Sequence, residues 1–436
     1  MVLPFKEHPL RHQSVAELHA RTYEPLQAPE RVSHVATLCG EKGTGRNLRH
    51  LKRLLEHYGL PCPETVDQHY FAMLGDIRMR WERHTEFVTY TFSKPGVYVH
   101  PFADPLVNEL PQDWLHELPG AVVTAVSLAL ESREMPEHTA DELGELFGGN
   151  AIIGSEVVGG AACAWSDLRI HSDGYSRILL RDRGLSRGQA GRLVKRFLEI
   201  NSYRAMALLG LPEAREANPA LSDADRRLVG VAARMTDEAF GRGVPDAELL
   251  AELTTLAAEI EAVAARTSSR FEASRAYYGV VQQRLKQLRQ KRIEGFQTFA
   301  EFLDARLAPA IATCTSTAKR QQDLAERAAR LTSLLRARVE VGLQEQNRRL
   351  LESMNQRSQI QLRLQETVEG LSVIAIGYYG IGLISYLMKG LEAYGLPINA
   401  SYLTGVSAPI VVLVAWFGLR RMKARLLKAE YLDNGH

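Results

Sequence analysis

Two apolar runs near the C-terminus constrain this chain more than anything else in it. Residues 371–388 read LSVIAIGYYGIGLISYLM and residues 403–419 read LTGVSAPIVVLVAWFGL. The first is about 18 residues without a charge, close to the roughly 20 that a helix needs to cross a bilayer core. The second is interrupted only by Pro409, which a bilayer-crossing helix tolerates near its end. Neither run has the charged face expected of a helical hairpin on a water-soluble core. The sequence therefore predicts two transmembrane helices joined by a short loop.

Lys and Arg are retained on the cytoplasmic side of short connections. Arg420, Arg421, Lys423, Arg425 and Lys428 follow the second run, whereas the loop between the runs offers Lys389 against Glu392. Both termini are expected in the cytoplasm, with the lipid bilayer as a partner and the basic tail (420–436) at lipid headgroups. The opening MVLPFKEHPLRHQS has no apolar segment behind its charges and is not expected to be a secretory signal.

The chain as a whole has a globular composition, 45% hydrophobic and 24% charged, and its net charge of +2 argues against a nucleic-acid partner. Cys39, Cys62, Cys163 and Cys314 form no C-x-x-C pair and read as ordinary thiols of a reducing compartment. All of the 13 histidines except His436 lie between His8 and His171, but their spacing matches no zinc pattern. His50 and His57 share a helix face two turns apart, too far for one ion. No resident cofactor is expected.

Residues 1–30 read as an irregular lead-in with a short helix over 14–20, and 31–210 as an α+β (α/β-type) cytoplasmic domain. Strands are expected at 31–38 and 120–130, and three more over 151–182 with a turn at Ser172, Asp173 and Gly174. FAMLGDIRMRWERH and EFVTYTFSK are expected to be the two arms of one long hairpin, turning near His84 and Glu86. Helices are expected over 44–58, with Gly59 as its stop, over 139–148, capped by Thr139, and over 186–210.

The loop GEKGTGRN (40–47) has the glycine spacing of a phosphate-binding loop. Arg46 stands where that loop needs Lys, and Asn47 where it needs a hydroxyl to hold magnesium. It reads as a turn that starts a helix. Asp76, Glu82, Glu86, His100, Asp104, Glu156, Asp167 and His171 supply ionisable groups, but in no catalytic spacing, so an enzyme is not expected.

A helical stalk is expected over 211–370, with long helices at 246–307 and 309–370 because Pro309 can start a helix but not continue one. Leu324, Leu331, Leu335, Leu343, Leu350 and Met354 follow steps of four and seven, as in coiled-coil packing. Continued into the first apolar run, the seam passes Val368, Leu371, Ala375, Tyr379, Gly382, Tyr386 and Lys389 along one side of the helix. These are the candidate pore-lining residues if several copies surround an axis. The other reading packs the same stripe against the second run, with Gly377, Gly380 and Gly382 allowing close approach.

This layout, with ETVEGLSVIAIGYYGIGLISYL at the join, resembles the CorA-type divalent-cation transporters over most of the chain, loosely. It also resembles an uncharacterised family of bacterial membrane-anchored proteins over nearly its whole length. The first resemblance implies a homo-oligomer, a pentamer, in the bacterial inner membrane, with a divalent cation as the transported ion. The Gly-Met-Asn signature of that family is missing, and Lys389, Gly390 and Leu391 stand near its place. Glu392 and Asn399 are the candidate outer-loop oxygen ligands. The expected function is ion transport; the alternative is a membrane-anchored sensor or scaffold whose cytoplasmic domain binds a ligand or partner.

Overall fold

The structure, a computed structural model, describes residues 7–12, 14–15, 23–40, 44–63, 68–239, 244–393 and 399–433, with backbone alone at 44, 237–239 and 422–433. Most of the expected lead-in helix, residues 41–43 of the glycine loop and residues 394–398 between the apolar runs lie outside the described residues. The chain divides into two compact units, Met1–Ser333 and Leu334–His436.

The first unit is built on a mixed sheet of nine strands. They are β1 (Glu30–Leu38), β2 (His69–Leu74), β3 (Ile77–Arg83), β4 (Phe87–Pro95), β5 (Ala121–Glu131), β6 (Ile153–Val157), β7 (Ala162–Ile170), β8 (Ser176–Asp182) and β9 (Lys291–Arg292), in the spatial order β2-β3-β4-β1-β5-β8-β7-β6-β9. All neighbours are antiparallel except β5 and β8. The expected long hairpin is three strands, because its first arm itself turns at Gly75, which takes φ +65° between β2 and β3. Glycine takes that conformation without the steric penalty of a Cβ.

Helices cover both faces of the sheet. On one face α1 (Thr44–His57) sends Leu51, Leu54 and Leu55 into a core with Val35, Met79, Trp81, Tyr90 and Phe92. Farther along that side, α2 (Gln112–His116) contributes Trp114, and α3 (Ala140–Leu146) packs Leu143 near Ala129 and Leu179. Thr139 caps α3 through a capping box with Glu142, satisfying two helix N–H groups.

The opposite face is covered by α4 (Arg187–Leu208) and α6 (Asp246–Gln287), with α5 (Gly210–Ala239) beside them. Leu193, Val194 and Phe197 of α4 meet Leu128, Leu130, Ile178 and Leu180 of the sheet in the largest core.

The helical region departs from expectation at two places. The expected helix through 307 stops at Gln287, and the chain between α6 and the next helix adds β9 to the free edge of β6. Leu288 is buried there and Arg289, next in the chain, takes φ +49°, so a left-handed residue ends the helix where proline does not. The next helix, α7 (Phe299–Ala393), starts at a Thr298–Glu301 capping pair and runs through Pro309. Proline in a helix interior costs about 3 kcal/mol. Burial of Phe299, Leu303, Leu307 and Ile311 in the core offsets it.

The expected coiled-coil seam is buried at Leu324 and Leu335 but exposed at Leu343, Leu350 and Met354. In the second unit, α7 and α8 (Ala400–Asp433) each contain a stretch long and apolar enough to cross a membrane, and little of either stretch is buried.

Candidate ligand cleft

The alternation of β3 and β4 creates the candidate site. In IRMRWER, Ile77, Met79 and Trp81 enter the α1-side core, which turns Arg78, Arg80 and Glu82 to the other face. In β4, Val88, Tyr90 and Phe92 do the same, leaving Phe87, Thr89, Thr91 and Ser93 beside them. On a solvated edge this polar face would meet water. Here α4 lies over it.

The result is a cleft with two parts. A narrow inner pocket of about 60 Å³ is bounded by Val32, His34, Thr89, Thr91, Val194 and Leu198. An outer groove of about 670 Å³ runs between α4, α6 and the β3–β4 turn. Glu82, His84, Lys195, Glu199 and Tyr203 line both parts. Gly191 lets α4 approach closely, since a Cβ there would overlap the Glu24 carbonyl oxygen.

Charges at the junction are concentrated and paired. Glu82 Oε1 lies 2.6 Å from Arg80 Nη2, 3.3 Å from His69 Nδ1 and 3.7 Å from Lys195 Nζ. Burial pushes its carboxyl up, but His69, Arg80 and Lys195 outweigh burial and hold it well below the usual carboxylate range. Burial also lowers the Lys195 ammonium, with Glu82 opposing. Glu24, on the far wall, is raised by burial against the pull of Arg78 and Arg80.

His34 crosses the inner pocket. Its Nδ1 is 2.8 Å from Thr91 Oγ1 and its Nε2 is 2.9 Å from Ser202 Oγ. Burial pushes its pKa down to about 4, so the ring is neutral near pH 7. The Thr89 hydroxyl, buried beside it, has no hydrogen-bond partner among the described residues. Such a group is costly to leave unsatisfied and marks where a ligand atom could bond.

Of the ionisable residues singled out from the sequence, only Glu82 reaches the cleft. Glu86 pairs with Arg270 at 2.6 Å and ties the β3–β4 turn to α6. Asp76 pairs with Lys94, and Glu156 with Arg183. His100 is exposed, and the Asp104 carbonyl accepts from Arg31. Asp167 Oδ2 and His171 Nε2 lie 2.9 Å apart elsewhere in the unit. His50 is a core residue held by Tyr90 and the Trp114 carbonyl, while His57 is exposed. Among the described residues no group of three or more His, Cys, Asp or Glu side chains is arranged to hold a metal ion. In the glycine loop, Arg46 is exposed and Asn47 is buried.

In the second unit, the stripe of Val368, Leu371, Ala375, Tyr379, Tyr386 and Lys389 is exposed, with Gly382 half-buried. The contact with α8 falls on the opposite side of the helix. A Cβ on Gly380 would sit 2.8 Å from Val411 Cγ1, and one on Gly377 would sit 3.4 Å from Val412 Cγ2, whereas Gly382 has nothing within 4 Å. Gly377 and Gly380 are thus the close-approach glycines. Glu392 is exposed, and Asn399 caps α8 by accepting from the Tyr402 N–H at 3.4 Å.

Lys195, Arg192, Arg196, Tyr203, His34 and Thr89 were not legible as site residues. A signal for some of them exists in α4, where Gln189, Arg192, Arg196, Glu199 and Tyr203 recur at steps of three and four, as one polar stripe.

Together these features define a class: an α+β sheet unit with a charged cleft, followed by a second unit whose two helices each contain a long apolar stretch. The chain belongs to the family of proteins of unknown function DUF3422, whose profile matches residues 6–426. The family description names no activity and adds nothing to the likeness to CorA-type transporters. A comparison with curated proteins gave no match.

Proposed function

We propose that the protein is a membrane-anchored sensor or scaffold whose sheet unit binds a small ligand in the cleft. The supporting observation is the cleft wall itself, where Arg80, Glu82 and Lys195 converge beside the unsatisfied Thr89 hydroxyl. Buried charge and an unpaired hydroxyl lower stability, and a concave site carrying both is the usual place for binding. Residues 371–388 and 403–419 hold this unit at the bacterial inner membrane, with both termini cytoplasmic. The test is a thermal-shift screen of metabolites on the purified full chain. A ligand that stabilises the wild type and loses its effect in Thr89→Val and Lys195→Met supports the reading. Ligands whose effect survives both substitutions place binding elsewhere.

A second reading is favoured by the exposed stripe on α7. In this reading copies of the chain form a homo-oligomeric, CorA-like ion channel, a pentamer by resemblance, with Leu371, Ala375, Tyr379 and Tyr386 along the axis and Lys389 at its mouth. Apolar side chains facing lipid give the same exposure, so flux decides between the two readings. Ion flux into liposomes, scanned over magnesium, zinc, cobalt, potassium and chloride, should change in Tyr379→Ala and Lys389→Ala. Folded protein that passes no ion leaves the anchored sensor or scaffold standing.

A further inference from the structure

The outer groove carries a charge imbalance that says what kind of ligand suits it. Its lining includes Arg83, Arg192, Lys195, Arg196 and Arg284 against two carboxylates, Glu82 and Glu199. Both carboxylates are engaged, Glu82 with Arg80 and Glu199 with Arg284 at 2.5 Å. Arg83 and Arg196 have no carboxylate within ion-pair distance among the described residues. Arg192 donates to the Tyr23 hydroxyl and stacks on its ring, which satisfies its geometry but not its charge.

The arrangement is built into two facing helices. On α4, Arg192 and Arg196 are one turn apart and followed by Glu199; on α6, Val280, Arg284 and Gln287 repeat the same spacing. Arg192 and Arg196 also line a smaller depression with Arg289, so the positive field extends past the groove mouth. Arg196 is only partly exposed, and like-charged neighbours around a partly buried guanidinium oppose folding. That arrangement is relieved when an anion binds.

We propose that the outer groove binds the phosphate of a small phosphorylated ligand, with Arg192 and Arg196 as its principal contacts and Arg83 across the groove. Guanidinium forks match phosphate oxygens in pairs, and a dianion answers several uncompensated cations at once. A volume of about 670 Å³ accommodates a metabolite, and the inner pocket leaves room at Thr89 and His34 for a polar group of the same molecule. This assignment rests on the cleft being the ligand site and adds the class of ligand to it.

The experiment is calorimetric titration of the purified full chain with inorganic pyrophosphate, and separately with vesicles containing an anionic phospholipid. Pyrophosphate binding should weaken about tenfold or more in Arg196→Gln and in Arg192→Gln, as loss of a charge-assisted contact implies. Arg226→Gln, on the exposed surface of α5, should bind as the wild type does. Unchanged melting temperatures in the groove variants separate lost contact from lost fold. Vesicle binding that is lost in Arg196→Gln, without pyrophosphate binding, supports the same phosphate site with a lipid headgroup as its source. No binding of either probe, or equal binding in the Arg196 and Arg192 variants, overturns the assignment. If a ligand without an anionic group still depends on Thr89 and Lys195, the phosphate assignment fails while the cleft remains the ligand site.

Discussion

His34 Nε2 and Ser202 Oγ, 2.9 Å apart, join β1 to α4 across the inner pocket. The other ring nitrogen meets Thr91 of β4, so one buried imidazole ties two strands to the covering helix. Burial depresses its pKa from 6.5 to about 4, with Arg80 and His84 adding to the shift and Glu82 opposing it. Because the folded value is the lower one, the unfolded chain takes up a proton first as pH falls. His34 thus contributes stability that is complete above about pH 6.5 and lost as pH drops through about 4. At about 1.4 kcal/mol per unit, the loss is on the order of 3 kcal/mol. Denaturant unfolding from pH 7 to pH 4 should show it, and His34→Gln should flatten that part of the profile. An unchanged slope in the variant would refute the assignment to His34.

Glu82 holds Arg80, Lys195 and the His69 ring together, so its neutralisation should be felt beyond its own site. Glu82→Gln leaves Arg80 and Lys195 in the cleft wall without their carboxylate. Breaking a buried ion pair from one side costs about 3 kcal/mol. Adding Lys195→Met to Glu82→Gln should recover part of the loss, because it removes one of the charges that Glu82 balances. The measurement is equilibrium unfolding of the single and double variants. Additive losses would show that the two residues are not coupled.

The Thr89 hydroxyl gives a prediction of opposite sign. Replacing it with a methyl of the same shape in Thr89→Val removes a buried polar group that has no protein partner. The variant should be more stable than the wild type by about 1 kcal/mol and should bind the cleft ligand more weakly. Stability rises and binding falls only if the hydroxyl is kept for the ligand. A destabilised variant would mean that the hydroxyl supports the fold instead.

How much of this could be read from the sequence follows from where each feature is encoded. The strands Glu30–Leu38 and Ala121–Glu131, the turn after His171 and the Thr139 cap depend on neighbours within a few residues, and local patterns express them. The helix through Pro309 was obscured because proline is a strong local stop, while the core contacts of Leu307 and Ile311 that override it come from distant segments. The cleft was hidden for the same reason. His34, Glu82 and Lys195 sit on β1, β3 and α4, and nothing in their spacing says that a helix will cover a polar strand face. The alternation in IRMRWER was visible, but it reads equally well as a face open to water.

The contact between the two apolar helices is specific enough to test directly. Gly377 on α7 faces Val412 on α8, and Gly380 faces Val411, so the backbones approach where glycine removes the side chain. A cysteine pair introduced as Gly377→Cys with Val412→Cys should therefore cross-link in membranes under mild oxidation, in a chain whose four native cysteines have been replaced by serine or alanine. A pair introduced as Gly382→Cys with Val412→Cys should not, since Gly382 has nothing within 4 Å of its Cβ position. Adding Gly380→Leu to the first pair should reduce its yield, because the added side chain must displace Val411, 2.8 Å from the Cβ position. Equal yields for both pairs would mean that the helices do not meet on this face. The exposed stripe through Tyr379 would then be the remaining candidate for helix contact, and its availability to line an axis would go with it.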